Sequence, residues 1–401
     1  MRILVVSDLY PPVAFGGYES ETAALVDGLR ERHDVLVLTS DRGSAAPDPD
    51  VRRELPYVGP RRREALAAPA KAARAVEVMR ATLDDFHPDL VYVANSVAIP
   101  QAAPLTAAAT GVPMAYRLSE LFMASSLYTG DRYLRTLLPG QRGARAAWAQ
   151  AMKARNRRLG LQPSATHRAG ISWASNALRE HVTLPASVQP ALERTIHPAT
   201  TQETAFTAIE RAPADAPSVL YLGRVTTAKG IELAYRALAA LRREHGIDAR
   251  LVRVGPAKPE MVEALDALAT DIGVTDAIDD RGRLETEALS RVLAEVGVLV
   301  LPTVEWDVFP LVLIEAGLAR VPIVAARIGG VPEAVVHGEH ALLFEPGDTA
   351  ACAAALADVF RDPDAAAARA ARAYERMRGL SVARYREESE RFVVETAEAL
   401  A

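Results

Sequence analysis

Two carboxylates bracket a run of large apolar residues in the stretch WDVFPLVLIEA, which spans residues 306–316. Asp307 stands before this run and Glu315 stands inside it, with seven residues between them. Ionised carboxylates are rarely buried without partners, because an apolar environment strips them of their hydration. The pattern predicts a helix that starts near Leu311, with Glu315 one or two turns into it and Asp307 on the preceding loop. Packing alone does not explain two acids in these positions.

Two cations lie on a second candidate loop. Gly223, Arg224 and Lys229 stand between a strand and a helix in YLGRVTTAKGIELAYRAL, residues 221–238. Cations placed ahead of a helix N-terminus suit a pyrophosphate group, because the helix end and the side chains both favour negative charge. A solvated loop with incidental charge is the alternative, and the motif alone does not decide between the two.

Two glycine pairs follow predicted strands. Gly16 and Gly17 lie in FGGYESE, where a missing Cβ lets the backbone approach a bound group closely. No G-x-G-x-x-G is present, so this is not a dinucleotide-binding loop. Gly329 and Gly330 lie in ARIGGVPEAVVHGE, where a turn can present backbone N–H groups to an anion or a sugar. For both pairs the alternative is an ordinary strand-to-helix turn.

Short apolar runs that alternate with longer amphipathic stretches must position these residues. The runs of the first series are ILVV (3–6), VLVL (35–38), LVYV (90–93), PMAY (113–116) and AGISW (169–173). The runs of the second series are SVLYLG (218–223), ARLVRVG (249–255), GVLVLP (297–302), PIVAA (322–326) and ALLF (341–344). Buried strands separated by helices indicate parallel βαβ units.

The two series predict an α/β protein with two doubly wound, Rossmann-like parallel-sheet domains that face each other across a cleft. The stretch 200–218 is rich in Thr, Ala and Pro and is typical of a linker. We therefore expect a first domain over 1–205 and a second over 206–383, with a terminal helix at about 384–401 that packs back on the first. Ligands of such sheets bind beside the carboxyl ends of the strands.

Composition excludes several classes of protein. A net charge of −5 over 401 residues gives no reason to expect nucleic-acid binding. The single cysteine, Cys352, excludes an intramolecular disulfide and fits a reducing cytoplasm. The opening MRILVVSD is typical of a first core strand rather than a signal peptide, so we expect a cytoplasmic protein. His337 and His340 lie close together, but no further ligand completes a metal site.

These pieces, in this order, resemble the retaining nucleotide-sugar glycosyltransferases of the GT-B fold, most closely glycosyltransferase family 4. The likeness covers nearly the whole chain and is most specific in the paired acids and in the ending GGVPE…G…LLFEPGD. Members of that family carry two acids separated by seven residues, usually both Glu, whereas Asp307 takes the first place here.

The resemblance implies a nucleoside-diphosphate sugar as donor, with no cofactor and no metal. Glu315 would bond the ribose hydroxyls and Asp307 would lie near the donor sugar, while Arg224 and Lys229 would hold the diphosphate. The remaining donor-binding residues that it implies are Gly16, Gly17, Gly223, Phe309, Pro310 and Leu311. The acceptor would be a small or activated molecule, such as a natural-product intermediate, and the sequence does not indicate the oligomeric state.

One departure from the family concerns the first domain. Many members carry a His after a strand there, aimed at the donor sugar, but the matching stretch MAYRLSELF has Ser119 in its place and Glu120 beside it. Ser119, Glu120 and Arg117 are the candidates to replace it, and each could equally be structural. The departure keeps two other functions open, namely a catalytically weakened sugar-nucleotide-binding partner subunit and a nucleotide-sugar epimerase.

A basic stretch, QRGARAAWAQAMKARNRRLG (141–160), carries cations and no acids. Three interpretations are open: an ordinary helix of the first domain, a helix on a membrane surface, or a binding face for an anionic acceptor. The cluster RRR at 61–63 adds positive charge to a separate loop, which we expect to be variable.

Overall fold

The computed structural model describes residues 1–13, 16–43, 46, 48–59, 64–120, 143–159, 166–211 and 216–401. Contacts divide the chain into two compact units. The first unit contains Met1–His197 and Ala383–Ala401, and the second contains Pro198–Val382. The cluster at 61–63 lies outside the described residues, as do 141–142 and 160 of the basic stretch.

The first unit is built on seven strands among its described residues. The strands are β1 (Arg2–Val6), β2 (Asp34–Ser40), β3 (Val51–Leu55), β4 (Leu90–Val93), β5 (Met114–Leu118), β6 (His167–Trp173) and β7 (Val188–Thr195). The helices are α1 (Gly17–Arg30), α2 (Glu64–Phe86), α3 (Ala102–Ala109), α4 (Ala144–Arg158), α5 (Asn176–His181) and, at the end of the chain, α14 (Val382–Leu400). Helix α4 contains most of the basic stretch.

The second unit is built on six strands among its described residues. The strands are β8 (Ser218–Leu222), β9 (Arg250–Val254), β10 (Ile278–Gly282), β11 (Val298–Leu301), β12 (Ile323–Ala326) and β13 (Leu342–Phe344). The helices are α6 (Glu203–Thr207), α7 (Ile231–Arg243), α8 (Pro259–Asp271), α9 (Thr286–Glu295), α10 (Leu311–Leu318), α11 (Val331–Ala334), α12 (Thr349–Arg361) and α13 (Pro363–Arg378), with short 3₁₀ helices at Thr227–Lys229 and Thr275–Ala277.

Both sheets are parallel and doubly wound. The strand orders are β3-β2-β1-β4-β5-β6-β7 and β10-β9-β8-β11-β12-β13, and the described strand pairs run parallel. In each sheet the chain winds outward from the first strand and then returns to its other side, at β4 and at β11. The prediction of two parallel-sheet α/β domains is therefore confirmed. The two strands that flank each reversal mark where such sheets bind ligands.

The central strands are buried on both faces, which explains their continuous apolar runs. Ile3, Leu4, Val5 and Val6 of β1 are fully buried, and so are Val298 and Leu299 of β11. The strands that the sequence did not reveal are β3, β7 and β10, and each of them is an edge strand. Charged residues interrupt all three, because an edge strand is only partly covered.

The stretch 200–218, which the sequence predicts to be a linker, contains a short helix. Helix α6 lies within it, and its Phe206 is fully buried in a core cluster of the second unit. The sequence predicts a linker here because Thr, Ala and Pro dominate, and a single buried aromatic residue does not change that composition.

Candidate functional site

Helix α10 carries one acid of the predicted pair. The helix begins at Leu311 directly after Pro310, as the sequence predicts, and it follows β11 beside the reversal in strand order. Leu313 and Ile314 are fully buried, whereas the next residue, Glu315, is only partly buried. Burial raises the pKa of Glu315 to about 7. Its carboxylate forms no hydrogen bond or ion pair with the part of the chain that the structure describes, so it is ready to accept one from a ligand.

Phe309 and Pro310 form the buried entry to this helix. Phe309 is 7% exposed and packs in the same core cluster as Leu313. Leu311, at the first helical position, is only partly buried. These residues fix the direction in which α10 leaves the sheet, and the helix N-terminus favours a negatively charged group next to it.

The other acid of the pair, Asp307, is bound to the predicted cationic loop. Lys229 Nζ donates a hydrogen bond to Asp307 Oδ2, and the two side chains are 30% and 12% exposed. The sequence predicts that Lys229 holds a diphosphate, but in this structure its ammonium group contacts a carboxylate of the protein. The ammonium group is still partly exposed, so a ligand can reach it.

Arg224 occupies the start of the same loop. Its side chain is exposed, and no hydrogen bond or ion pair of its guanidinium group occurs within the described residues. The tight turn at Gly223, with φ of +146°, and the hydrogen bond from the Tyr221 hydroxyl to the Arg224 carbonyl at 2.8 Å fix the backbone at this point. A fixed backbone with an unpaired guanidinium group is an anion-binding arrangement.

Backbone contacts hold the loops of Lys229 and Asp307 together. The N–H groups of Val304 and Glu305 both donate to the Ala228 carbonyl, at 3.1 and 3.2 Å. Gly230 has φ of +71°, and a Cβ atom there would lie 1.8 Å from the Pro302 carbonyl oxygen. Only glycine fits this position, since another residue would force the two loops apart.

The second glycine pair lies directly on Asp307. The Gly330 N–H donates to the Asp307 carbonyl at 2.9 Å. A Cβ atom on Gly329 would lie 1.9 Å from the Asp307 carbonyl oxygen, and one on Gly330 would lie 1.9 Å from that of Val308. The Gly330 amide is therefore engaged by the protein and not presented to a ligand, and the pair allows α11 to support the Asp307 loop.

The Gly16–Gly17 loop follows β1 in the first unit. Helix α1 begins at Gly17, and the Glu19 carboxylate accepts a hydrogen bond from the Gly16 N–H at 3.0 Å, which caps the helix. The Tyr18 hydroxyl donates to the Ser119 carbonyl at 3.0 Å. These contacts bring the glycine loop next to the Ser119–Glu120 turn, as expected for ends of strands in one sheet.

Ser119 and Arg117 are buried, in contrast to Glu120. Ser119 is 6% exposed and lines an internal cavity of about 10 Å³, which is enough for one water molecule. Arg117 is 3% exposed; its Nε donates to Glu21 Oε1 at 2.9 Å and its Nη1 to the Ile196 carbonyl at 2.7 Å. Burial opposes its charge, but Glu21, Tyr385 and Tyr92 together outweigh burial and raise the pKa of Arg117. This burial and pairing favour the structural role that the sequence left open for Arg117.

Asp8 is a residue of this region that the sequence analysis did not single out. It follows β1, is 4% exposed, and its Oδ2 accepts a hydrogen bond from the Ala98 N–H at 3.0 Å. The pKa of Asp8 is raised to about 7, mainly by burial; the hydrogen bond from Ala98 lowers it, while Glu19 and Glu120 act with burial. The signal in the sequence is its position, since it is the first acid after the strand that adjoins the reversal.

Neither a metal cluster nor a membrane-spanning helix occurs in the described ranges. No group of three or more His, Cys, Asp and Glu side chains there could hold a metal ion. No helix there is long and apolar enough to cross a bilayer.

Comparisons with known proteins agree with this geometry. The family described as "Glycosyl transferases group 1" matches residues 202–376, which include Arg224, Lys229, Asp307 and Glu315. The chain is 34% identical over 169 residues to a glycogen synthase of Mycobacterium tuberculosis, covering 42% of this chain and 40% of the relative. It is 36% identical over 170 residues to a D-inositol 3-phosphate glycosyltransferase of Streptomyces avermitilis, covering 40% and 36%. The chain thus spans about two fifths of the length of these curated relatives.

Solved structures resemble the chain over nearly its whole length. Sucrose-phosphate synthase from Thermosynechococcus elongatus aligns with a TM-score of 0.72 at 19% identity, covering 98% of each chain. Anabaena HepE in complex with UDP-glucose aligns with a TM-score of 0.67 at 17% identity, covering 98% of this chain and 100% of that one. At such identities the likeness shows the fold, which confirms the GT-B prediction.

Proposed function

We propose that the protein transfers a sugar from a nucleoside-diphosphate sugar to a small-molecule or activated acceptor. The observation that carries the proposal is the grouping of Arg224, the Lys229–Asp307 pair and Glu315 after β8 and β11, on both sides of the strand-order reversal. Support comes from the group 1 family match over these residues and from the UDP-glucose that HepE, a protein of the same fold, contains in its crystal structure.

Glu315 would bind the ribose of the donor. Its carboxylate has no partner in the described chain, and burial raises its pKa to about 7. Ribose hydroxyls would supply two such bonds and would favour the ionised form. Charge-assisted hydrogen bonds are about twice as strong as neutral ones, so the acid gives more affinity than an amide would.

Arg224 and Lys229 would hold the diphosphate. Negative charge builds on the leaving diphosphate as the bond to the sugar breaks, so cations fixed at this point stabilise the transition state more than the ground state. Arg224 is free to bind the diphosphate directly, while Lys229 would divide its charge between the diphosphate and Asp307. We propose that these cations replace a metal ion.

Asp307 would lie beside the donor sugar, where Lys229 and the Gly329–Gly330 turn fix its position. Because no group among the described residues of the first unit stands out as a nucleophile, we propose same-face attack by the acceptor with retention at the anomeric carbon, as in glycosyltransferase family 4. Ser119 and Glu120, with Asp8, would form the acceptor side, and the single cysteine fits a cytoplasmic location.

A sugar-nucleotide-binding partner subunit is the second candidate. The buried Ser119 in place of a donor-facing histidine favours it, since Ser119 is 6% exposed and its carbonyl is bound by the Tyr18 hydroxyl. This alternative predicts nucleotide binding without turnover.

The test is incubation of the full chain with a panel of UDP-, GDP- and ADP-sugars, with release of free nucleoside diphosphate as the readout. Slow hydrolysis of one donor supports a transferase, because water replaces the missing acceptor. An altered sugar would indicate an epimerase, and thermal stabilisation without release would indicate the binding subunit. Arg224→Ala should lower release by roughly 10²–10³-fold, whereas Arg243→Ala, an exposed arginine at the end of α7, should not. Equal release in the two variants contradicts the proposal.

A further inference from the structure

A second cavity lies on the second unit, away from the residues discussed above. Its volume is about 630 Å³, within the range of small-molecule sites. Arg320 stands between α10 and β12, and His340 stands just before β13. Both therefore lie at the amino-terminal edge of the sheet, whereas Asp307 lies at its carboxyl edge. The residues that matter here are Arg320, Glu339, His340, Arg372, Tyr374 and Arg376.

Arg320 has an unusual backbone conformation. Its φ is +54°, a left-handed conformation that costs a non-glycine residue about 1–2 kcal/mol. Its guanidinium carbon lies 3.6 Å from the centroid of the Tyr374 ring, and that of Arg378 lies 5.7 Å from the same ring. Glycine would fit this turn without strain, so the backbone conformation does not require an arginine. The stacking holds its guanidinium group at the cavity.

Arg372 and Arg376 are anchored by part of each guanidinium group. Arg372 Nε donates to the Glu339 carbonyl at 2.8 Å, and Arg376 Nε donates to the Ala334 carbonyl at 2.7 Å. Within the described residues, the terminal amino groups of Arg372 form no hydrogen bond. Arginines held in this way present fixed N–H donors to a ligand and lose little conformational freedom on binding.

His340 adds a neutral donor. Its Nδ1 accepts a hydrogen bond from the Val336 N–H at 3.2 Å, which assigns the proton to Nε2. Burial lowers its pKa; Glu339 acts in the opposite direction, and Arg376 and Arg372 lower it further.

Two acids also border the cavity. Glu375 lies 3.5 Å from Arg378, and Glu339 lies 3.5 Å from His340 Nε2. Their side chains are 68% and 56% exposed, so solvent screens both charges. The charge of Arg378 offsets that of Glu375. The three positive charges of Arg320, Arg372 and Arg376 are then opposed by the single negative charge of Glu339.

We propose that this cavity binds the phosphoryl group of a phosphorylated small molecule. Guanidinium groups match phosphate geometry, and three of them line this cavity together with a fixed imidazole. The site lies at the sheet edge opposite the proposed donor site, so the ligand would not be the donor sugar nucleotide. The phosphoryl group could equally belong to a free metabolite or to a lipid headgroup, because the recognition chemistry is the same.

The experiment titrates the full chain with inorganic pyrophosphate in a calorimeter. Arg372→Gln and Arg320→Gly should each weaken the binding at least tenfold, since each removes a charge-assisted contact. Glycine at 320 also relieves the backbone strain, so this variant should fold at least as well as its parent. The matched control is Arg291→Gln, an exposed arginine on α9 that pairs only with Glu287 in the described chain.

Pyrophosphate should also bind near Arg224, so Arg224→Ala separates the two sites. An event that is lost in Arg372→Gln but kept in Arg224→Ala supports the proposal. Absence of binding, loss only in Arg224→Ala, or equal loss in Arg291→Gln overturns it. Sedimentation with phosphatidylcholine vesicles, with and without phosphatidylglycerol, gives the second arm. Binding that needs both phosphatidylglycerol and Arg372 assigns the phosphoryl group to a lipid, and binding of pyrophosphate alone assigns it to a soluble ligand.

Discussion

Asp307→Asn should tighten the binding of a nucleoside diphosphate while it slows sugar transfer. The substitution removes the carboxylate that Lys229 contacts and keeps a side chain of nearly the same size. Lys229 would then direct its full charge to the diphosphate, and the repulsion between Asp307 and the diphosphate would disappear. Both effects act in the same direction on affinity, whereas the loss of a carboxylate beside the sugar lowers turnover.

The size of the effect follows from the exposure of the pair. Lys229 is 30% exposed and Asp307 is 12% exposed, so the effective dielectric constant lies well above that of a dry interior. Coulomb's law at about 4 Å with a dielectric constant of about 40–80 gives roughly 1–2 kcal/mol. Measured energies of partly exposed pairs are lower, about 1 kcal/mol or less. A gain of about 1 kcal/mol corresponds to roughly fivefold tighter binding.

The assay is calorimetric titration with UDP and GDP, using whichever binds the wild-type chain more tightly. The matched control is Glu305→Gln, which removes an exposed acid two residues earlier on the same loop. Lys229→Met should weaken binding, and in the Lys229→Met background Asp307→Asn should give a smaller gain than in the wild type, because only the repulsion between Asp307 and the diphosphate is then removed. Unchanged or weaker binding in Asp307→Asn, or an equal gain in Glu305→Gln, would refute the division of the Lys229 charge between two partners.

Three further outcomes follow from the structure. Glu315 has a folded pKa of about 7 against an ordinary 4.5, so between these values the folded state holds a proton that the unfolded chain has released, and stability falls as the pH rises. In urea titrations, the free energy of unfolding of Glu315→Gln should therefore exceed that of the wild type by up to about 3 kcal/mol at pH 8 but not at pH 4. The affinity for a nucleoside diphosphate should rise through pH 7 only in the wild type. Gly329→Ala should lower the free energy of unfolding, measured by thermal unfolding, by about 3 kcal/mol, since it combines a left-handed backbone with a clash against the Asp307 carbonyl. Gly246→Ala, at φ of +68° with open space around it, should lower it by about 1 kcal/mol. Arg117→Met should lose about 3–5 kcal/mol because Glu21 is left buried without its charge partner, and a loss below 1 kcal/mol would contradict the buried pair.

The sequence predicts the sheets because their central strands are buried on both faces. Continuous apolar runs such as that of β1 have no other simple interpretation. The edge strands β3, β7 and β10 have one exposed border, so charged residues are tolerated there. Their sequences therefore lack the continuous apolar run that marks a central strand. The edge strand β13 was nevertheless predicted, because Leu343 and Phe344 pack in the core clusters of the second unit.

The site was predictable where a local pattern positions the residue. Glu315 follows from the helix that begins at Leu311, and Arg224 follows from the turn after β8. The Lys229–Asp307 pair joins residues 78 positions apart, and Arg117 and Glu21 are 96 apart. No spacing rule connects these residues. The first pair depends on how two loops pack together, and the second depends on how α1 packs against β5. Arg117 looked like a site residue because it stands at the end of β5, where ligands bind, but its side chain enters the core instead.

The terminal helix α14 shows how a short pattern can specify a contact with a distant part of the chain. Tyr385, Ser389, Phe392, Val393 and Thr396 are its buried residues, and they recur at the three- and four-residue intervals of one helical face. This face packs closely against β6 at Gly170, which has no side chain. A Cβ atom there would lie 2.2 Å from Thr396 Oγ1. Tyr385 then reaches the Arg117 guanidinium group, whose carbon lies 5.7 Å from the Tyr385 ring centroid. Because Arg117 lies two residues before Ser119 in the chain, the last helix helps to fix the turn that we assign to the acceptor side.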